Sequence, residues 1–279
     1  MEAFTLLDEW PVEHVAAAIV GRDGTVARHG DTGRRFPLAS ISKLLLGRAM
    51  LVGVEEGIVS LDEPLDAVGG IDLSWCTMRH LLAHAAGFGF DTTTRLAAPG
   101  TRRIYSNVGI ELAGQVLEQR AALPLVTYLS EAVLEPLGMH STTLDGSVAT
   151  SVTSTVDDLV DFIGELRSPR LVTADTDLAF RTIQFPGLAG VVPGIGRFDD
   201  CGWGLTAEVR GAKTPHWTGT RNSAATFGHF GGAGTLLWVD PVAQIACVVL
   251  TDQTFGEWAL RLWPPFADAV LDESAGVGR

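Results

Sequence analysis

Phe36-Pro37-Leu38-Ala39-Ser40-Ile41-Ser42-Lys43 is the stretch on which the reading of this chain turns. Lys43 and Lys213 are its only lysines; the other eighteen of its twenty basic Lys and Arg residues are arginine. A buried lysine can release its proton near neutral pH, whereas an arginine cannot. Ser40 lies three residues before Lys43, so on a helix starting here the hydroxyl and the amine share a face. A hydroxyl beside an amine base is the arrangement of an activated nucleophile. Backbone amides at the helix start would also favour a developing oxyanion at Ser40. Ser42 adjoins Lys43 instead of standing a turn away, and is the weaker nucleophile candidate. The same eight residues also suit an N-cap serine followed by a solvated lysine, so the rest of the chain has to decide.

Working outward, Tyr105-Ser106-Asn107 contains one of only two tyrosines and one of only two asparagines. A phenol can relay protons if a neighbouring cation such as Lys43 lowers its pKa. The Asn107 amide can orient a lysine and donate to a substrate carbonyl; the tripeptide equally suits a turn before a helix. His229-Phe230-Gly231-Gly232 opens a β-prone stretch that would set the histidine on an edge strand facing the nucleophile. Glycines at 231 and 232 allow a substrate backbone or acyl group to come close. The Gly232 N–H, paired with that of Ser40, is a plausible oxyanion hole. A histidine before a glycine-rich hairpin also commonly serves structure alone.

Composition narrows the function classes. The chain has 279 residues, 46% hydrophobic and 19% charged, which suits a folded enzyme and not a disordered segment. A net charge of −13 disfavours nucleic acid and anionic membranes as partners. Cys76, Cys201 and Cys247 are odd in number, far apart and without metal-ligand spacing, so they read as reduced, packed thiols. The acidic start Met1-Glu2-Ala3-Phe4 lacks the basic and apolar regions of a signal peptide, and no apolar run has the length of a membrane span, so a cytosolic address is expected.

No cofactor or metal is called for. His80 and His84 lie at i and i+4, but without a His-Glu-x-x-His pattern they read as helix packing. Gly-x-Ser-x-Gly is absent, and Gly231–Gly234 does not lead from a strand into a helix as a phosphate cradle does. Trp75, Trp203, Trp217 and Trp238 suit core or rim packing better than an acyl pocket. Nothing in the sequence bears on oligomeric state.

The element pattern predicts strands at both ends. A hairpin is expected over 15–29 with its turn at 21–24, and strands over 202–209, 228–239 and 244–251. Helices are expected over 41–56 (stopped by Gly57), 77–84, 107–120, 125–134, 157–166 (with Ser154 as the cap) and 257–272, the last interrupted at Pro264-Pro265. Residues 185–200, rich in Gly and Pro, read as loop. The expectation is one α+β domain over 1–279: an antiparallel sheet lobe from about 1–38 and 200–279, flanked by helices, with a mostly helical lobe inserted at about 39–199.

Taken together, these segments resemble the serine β-lactamase and penicillin-binding-protein superfamily, in its class C-like branch. Phe36–Lys43 is similar to the family's first motif, and Glu55-Glu56-Gly57-Ile58-Val59-Ser60-Leu61-Asp62 to the run that follows it. His80–Gly87, Pro99-Gly100-Thr101 with Tyr105-Ser106-Asn107, Leu137-Gly138-Met139, Ser154–Leu159, Gly202-Trp203-Gly204 and Gly228–Gly232 continue in family order. The resemblance implies an acyl-enzyme on Ser40. Lys43 and Tyr105 would pass its proton to the leaving group, and either would activate water for deacylation. Asn107 would position Lys43 and the acyl chain, His229 would support Tyr105, and Ser40, Gly231 and Gly232 would form the oxyanion and substrate-binding edge.

Two departures from the family pattern bear on the substrate. The third motif usually begins with a lysine that holds a carboxylate, whereas His229 is largely neutral near pH 7 at its ordinary pKa. The usual His-Thr-Ser-Gly is His84-Ala85-Ala86-Gly87. The expected function is therefore a carboxylesterase acting on small or acyl esters, with a small-molecule ester or amide as its partner. The alternatives are a β-lactamase, a D-alanyl-D-alanine carboxypeptidase, or an inactive binding module of the same fold.

Overall fold

In the computed structural model, which describes residues 1–276, the apolar runs at the two ends of the chain pair with each other. Six strands form one sheet: β1 (Val15–Val20), β2 (Val26–His29), β3 (Glu208–Val209), β4 (Phe227–Gly231), β5 (Thr235–Asp240) and β6 (Ile245–Thr251). Their order is β2-β1-β6-β5-β4-β3, and every neighbouring pair is antiparallel. The β1–β6 ladder runs from Val15 opposite Thr251 to Val20 opposite Ala246. Residues more than two hundred positions apart thereby close the sheet.

These strands read as unbroken apolar runs because both faces are covered. Ala16, Ala18, Val20, Leu237, Val239, Ala246, Val248 and Leu250 point into one core, while Ala17, Ile19, Leu236, Trp238, Ile245, Cys247 and Val249 point into a second. The period-2 alternation of a strand thus sorts side chains between two apolar layers instead of between core and water. The first layer holds α1 (Ser42–Glu55), α2 (Asn107–Ala121), α3 (Val156–Arg167) and α4 (Ala174–Arg181). The second holds a 3₁₀ segment, Glu2–Glu9, and α5 (Glu257–Gly276), joined where the Glu273 carboxylate accepts from the Glu2 and Ala3 amides.

Helix α1 lies at the centre of the first layer and is buried on nearly every side, Lys43 and Arg48 included. It ends where Gly57 takes a φ of +72°, a left-handed turn that few side chains tolerate. Two small three-stranded sheets stand apart from the main one. One joins Phe36–Pro37, Val152–Ser154 and Thr143–Leu144, and brings residues 143–154 alongside the start of α1. The other joins Arg103–Ile104, Gly190–Val192 and Gly196–Phe198, and fixes the approach to Tyr105.

The architecture is the α+β arrangement expected, with several local corrections. Residues 185–200 are not wholly loop: two short strands form there because Arg103 and Ile104 offer pairing partners that a Gly/Pro-rich composition does not reveal. The strand expected over 202–209 is reduced to Glu208–Val209, with Trp203 making an isolated bridge to Glu208. The cap of α3 is Thr155, whose hydroxyl accepts from the Asp158 amide; the Ser154 hydroxyl bonds Thr142 instead. The helix Met78–Leu82 stops short of His84, and α4 is a helix for which no expectation was formed. Helix α5 runs on through Pro264 and Pro265 to Gly276. Among the described residues no helix is long and apolar enough to cross a membrane.

Candidate active site

The start of α1 is set by a short strained turn. Ala39 has a φ of +48°, a left-handed conformation that costs a non-glycine residue of order 1 kcal/mol. Its surroundings hold it there. The Leu38 amide donates to the Val152 carbonyl at 2.8 Å, and the Leu38 carbonyl accepts from the Thr235 hydroxyl at 2.9 Å. The Ser42 hydroxyl donates to the Ala39 carbonyl at 2.6 Å and accepts from the Val152 amide at 3.2 Å. Ser42 is thereby committed to structure. Ser40 is left with its side chain free of backbone duty, at the head of a helix.

Lys43 meets it there. Its Nζ donates to Ser40 Oγ at 3.1 Å and to the Ala149 carbonyl at 2.8 Å, and the residue is wholly buried. Burial brings the amine down to about 7, against a smaller upward pull from Glu111 and Asp91. A neutral amine is therefore within reach at physiological pH, the state a general base requires. Lys213 lies elsewhere: it is buried in an ion pair with Glu208, whose carboxylate also takes the Trp217 indole N–H.

Tyr105 stands over the pair, its ring 5.0 Å from the lysine nitrogen. The phenol bonds His229 Nε2 at 3.2 Å. His229 Nδ1 lies 2.6 Å from the Phe230 carbonyl, which can only accept, so the proton sits on Nδ1 and Nε2 accepts from the phenol. Burial is also the main influence on both groups: it brings His229 down to about 3 and drives the Tyr105 phenol well above its usual range, with a Ser40 contact pulling the phenol the other way. The expectation that Lys43 lowers the Tyr105 pKa is thus reversed. The cation stacks on the ring, but loss of solvent outweighs it. A neutral imidazole and a neutral phenol therefore face Ser40 and Lys43.

Asn107 starts α2 and its Nδ2 donates to Asp91 at 2.8 Å. The resemblance implies that Asn107 positions Lys43; the carbonyl that accepts from the amine is that of Ala149. His229 lies on β4, which is second from the edge and not the edge strand expected; β3 covers it only at Phe227 and Gly228 and leaves it open from His229 onward. At its end, Gly231 presses on the turn before Ser40: a Cβ there would stand 2.3 Å from the Leu38 carbonyl oxygen. The Gly232 and Ser40 amides have no acceptor among the described residues. Two free N–H groups on segments held this closely are suited to an oxyanion.

Sequence reading gave no role in this cluster to several residues that support it. Arg103 is buried and donates to the carbonyls of Cys201, Ala83, Gln184 and Phe185, clamping the backbone just before Tyr105. His84 is not simple helix packing: its ring lies 4.5 Å from that of Tyr105, and its Nδ1 accepts from the Ser106 amide. His80 turns elsewhere, bonding Thr77 and stacking on Phe185. Trp203 packs against His84, Tyr105 and His229. The one His/Cys/Asp/Glu group spaced for a metal among the described residues is Glu13, His14 and Asp252, on other elements, and there the Asp252 carboxylate already accepts from His14 and two backbone amides.

If the Gly231 contact fixes the turn before Ser40, Gly231→Ala should lower unfolding free energy by about 1–3 kcal/mol in urea titration. A change under about 0.5 kcal/mol would show that the two segments are free to separate.

Comparison with known proteins agrees with this geometry. The sequence model of the Beta-lactamase family matches residues 12–271. A solved structure described as a beta-lactamase from Mycobacterium bovis is 48% identical, with a TM-score of 0.92 over 98% of this chain and 99% of that one. EstCE1, described as a hydrolase with promiscuous acyltransferase activity, shares the fold at 18% identity, with a TM-score of 0.73 over 96% of each chain. A curated protein of Escherichia coli O157:H7, bearing the provisional name D-alanyl-D-alanine carboxypeptidase, is 26% identical over 199 residues, 56% of this chain and 46% of its own. The chain thus spans about half the length of the curated relatives it matches. By its matched length, its fold and its similarity to a solved member, the chain belongs to the Beta-lactamase family of serine hydrolases.

Proposed function

We propose that this protein is a carboxylesterase of the class C-like branch that works through an acyl-enzyme on Ser40. Neutral Lys43 accepts the Ser40 proton as Oγ bonds to the ester carbonyl carbon, and the Ser40 and Gly232 amides hold the oxyanion. As the C–O bond to the alcohol breaks, Tyr105 gives its proton to the departing oxygen and takes one from Lys43. The phenolate, which burial opposes, therefore never persists. In deacylation Lys43 takes a proton from water, the hydroxide attacks the acyl carbon, and Ser40 leaves with its proton restored.

The observation that carries the ester reading is His229. It occupies the place where the family usually has a lysine for a substrate carboxylate, and burial keeps it neutral, with its pKa near 3. A neutral group there offers no charge for an anionic β-lactam or peptide terminus. A second feature points the same way. Phe90, Leu96 and Val191, exposed by 48%, 60% and 43%, line a groove of about 240 Å³ with Pro193 and Tyr105, and Arg102 is its one exposed charge. Apolar surface of this kind suits the hydrocarbon part of an ester. The D-alanyl peptidase reading is favoured only by the names of partial relatives.

Two measurements test the proposal. A fluorophosphonate should label wild type at Ser40, as mapped by mass spectrometry, and p-nitrophenyl ester turnover should vanish in Ser40→Ala; labelling elsewhere, or retained turnover, would reject it. A stable penicilloyl adduct without ester turnover would instead favour the peptidase reading. The pH profile is the second. Only neutral Lys43 accepts the Ser40 proton, so kcat/KM should fall about tenfold per pH unit below an apparent pKa near 7. A profile flat down to pH 5 would mean that Lys43 is not the base.

A further inference from the structure

Nothing in the motifs explains what holds the Ala149 carbonyl in place. Ala149 sits in the segment between Thr143–Leu144 and Val152–Ser154, with no helix or strand of its own. Its amide donates to Glu111 Oε1 at 3.0 Å, and the Ser147 hydroxyl donates to the same oxygen. Glu111 lies on α2, one turn beyond Asn107. The carboxylate therefore holds the amide of Ala149, and the carbonyl of that same residue, in the next peptide unit, accepts from Lys43 Nζ at 2.8 Å.

The geometry points to Glu111 as a positioning residue for the Lys43 base: through the Ala149 backbone it sets where the amine sits and how strongly it holds its proton. This rests on the acyl-enzyme reading for its catalytic meaning, though not for its physical content. The Ala149 N–H and C=O belong to successive peptide planes that share one Cα, so pinning the amide fixes where the carbonyl points. The contact also has an electrostatic part. The groups acting on Lys43 are Glu111 from α2, Asp91 from the segment that Asn107 holds, His84 and His229 across the Tyr105 ring, and that ring itself. Both imidazoles are neutral, since burial lowers them first, so the carboxylates are the charges that oppose burial. Removing Glu111's charge leaves burial less opposed and shifts Lys43 further toward its neutral form.

Glu111→Gln tests this, because its amide oxygen can still accept from Ala149 and Ser147 while the charge is lost. In Glu111→Gln the acid limb of kcat/KM for p-nitrophenyl butyrate should move down by about half a pH unit or more, and Glu111→Asp should move it back toward wild type. Glu111→Ala, which frees the Ala149 peptide, should lower the plateau by about tenfold or more, with thermal melting recorded in parallel so that unfolding is not mistaken for loss of positioning. NMR titration of ¹³C-labelled lysine, which requires no substrate, reads the same quantity directly. An unchanged Lys43 midpoint in Glu111→Gln would overturn the proposal even in a protein that turns over no ester. A shifted midpoint without ester turnover would uphold the positioning role and reject the esterase reading alone.

Discussion

A single buried amine organises this molecule. Lys43 is enclosed at the start of a helix with no carboxylate bonded to it among the described residues, and its two hydrogen bonds go to a hydroxyl and a carbonyl. An ammonium stripped of water and left without a paired anion is costly, so the group moves toward its neutral form near pH 7. The chemistry proposed for the site follows from that constraint. So does much of the fold around it, since segments from several parts of the chain meet at one nitrogen while Glu111 and Asp91 act on it without pairing with it.

The sheet and its flanking pieces make that meeting possible. Pairing of β1 with β6 joins the chain ends and sets β4 and β5 beside the Ser40 turn, where Thr235 and Gly231 bear on Leu38. The small sheet of Phe36–Pro37 with Val152–Ser154 carries Ala149 to the lysine. The pairing of Arg103–Ile104 with Gly190–Val192, reinforced by the Arg103 clamp, delivers Tyr105. Strain at Ala39 is tolerated because these contacts fix it from several sides.

How far the site could be read from sequence depended on the kind of group involved. Ser40, Lys43, Tyr105 and His229 were visible because rare, chemistry-bearing residues stood at telling spacings, and the structure brings these four side chains together. The Ala149 carbonyl was invisible, since every residue has one and its contact with Lys43 spans 106 positions. Asn107, given the role of positioning Lys43, has its amide nitrogen on Asp91, and the carbonyl that Lys43 meets is the one from Ala149. The phenol was misjudged for a different reason: a nearby cation can be guessed from motif order, but the burial that outweighs it is a property of the folded state. The strands within 185–200 went unread because their pairing with Arg103–Ile104, and not their own composition, creates them. The α+β class was legible from element order alone, strands at both ends with helices between, whereas burial of both faces of the main strands emerges only from the packing of the two layers.

The central claim is that Lys43 exchanges its proton near physiological pH, and the chain's scarcity of lysine makes this directly measurable. With only two lysines, a protein labelled with ¹³C at lysine Cε should give two resonances, assigned by substituting Lys213. The account predicts that the Lys43 signal titrates with a midpoint near 7. A midpoint at the ordinary lysine value, about 10.4, would contradict it.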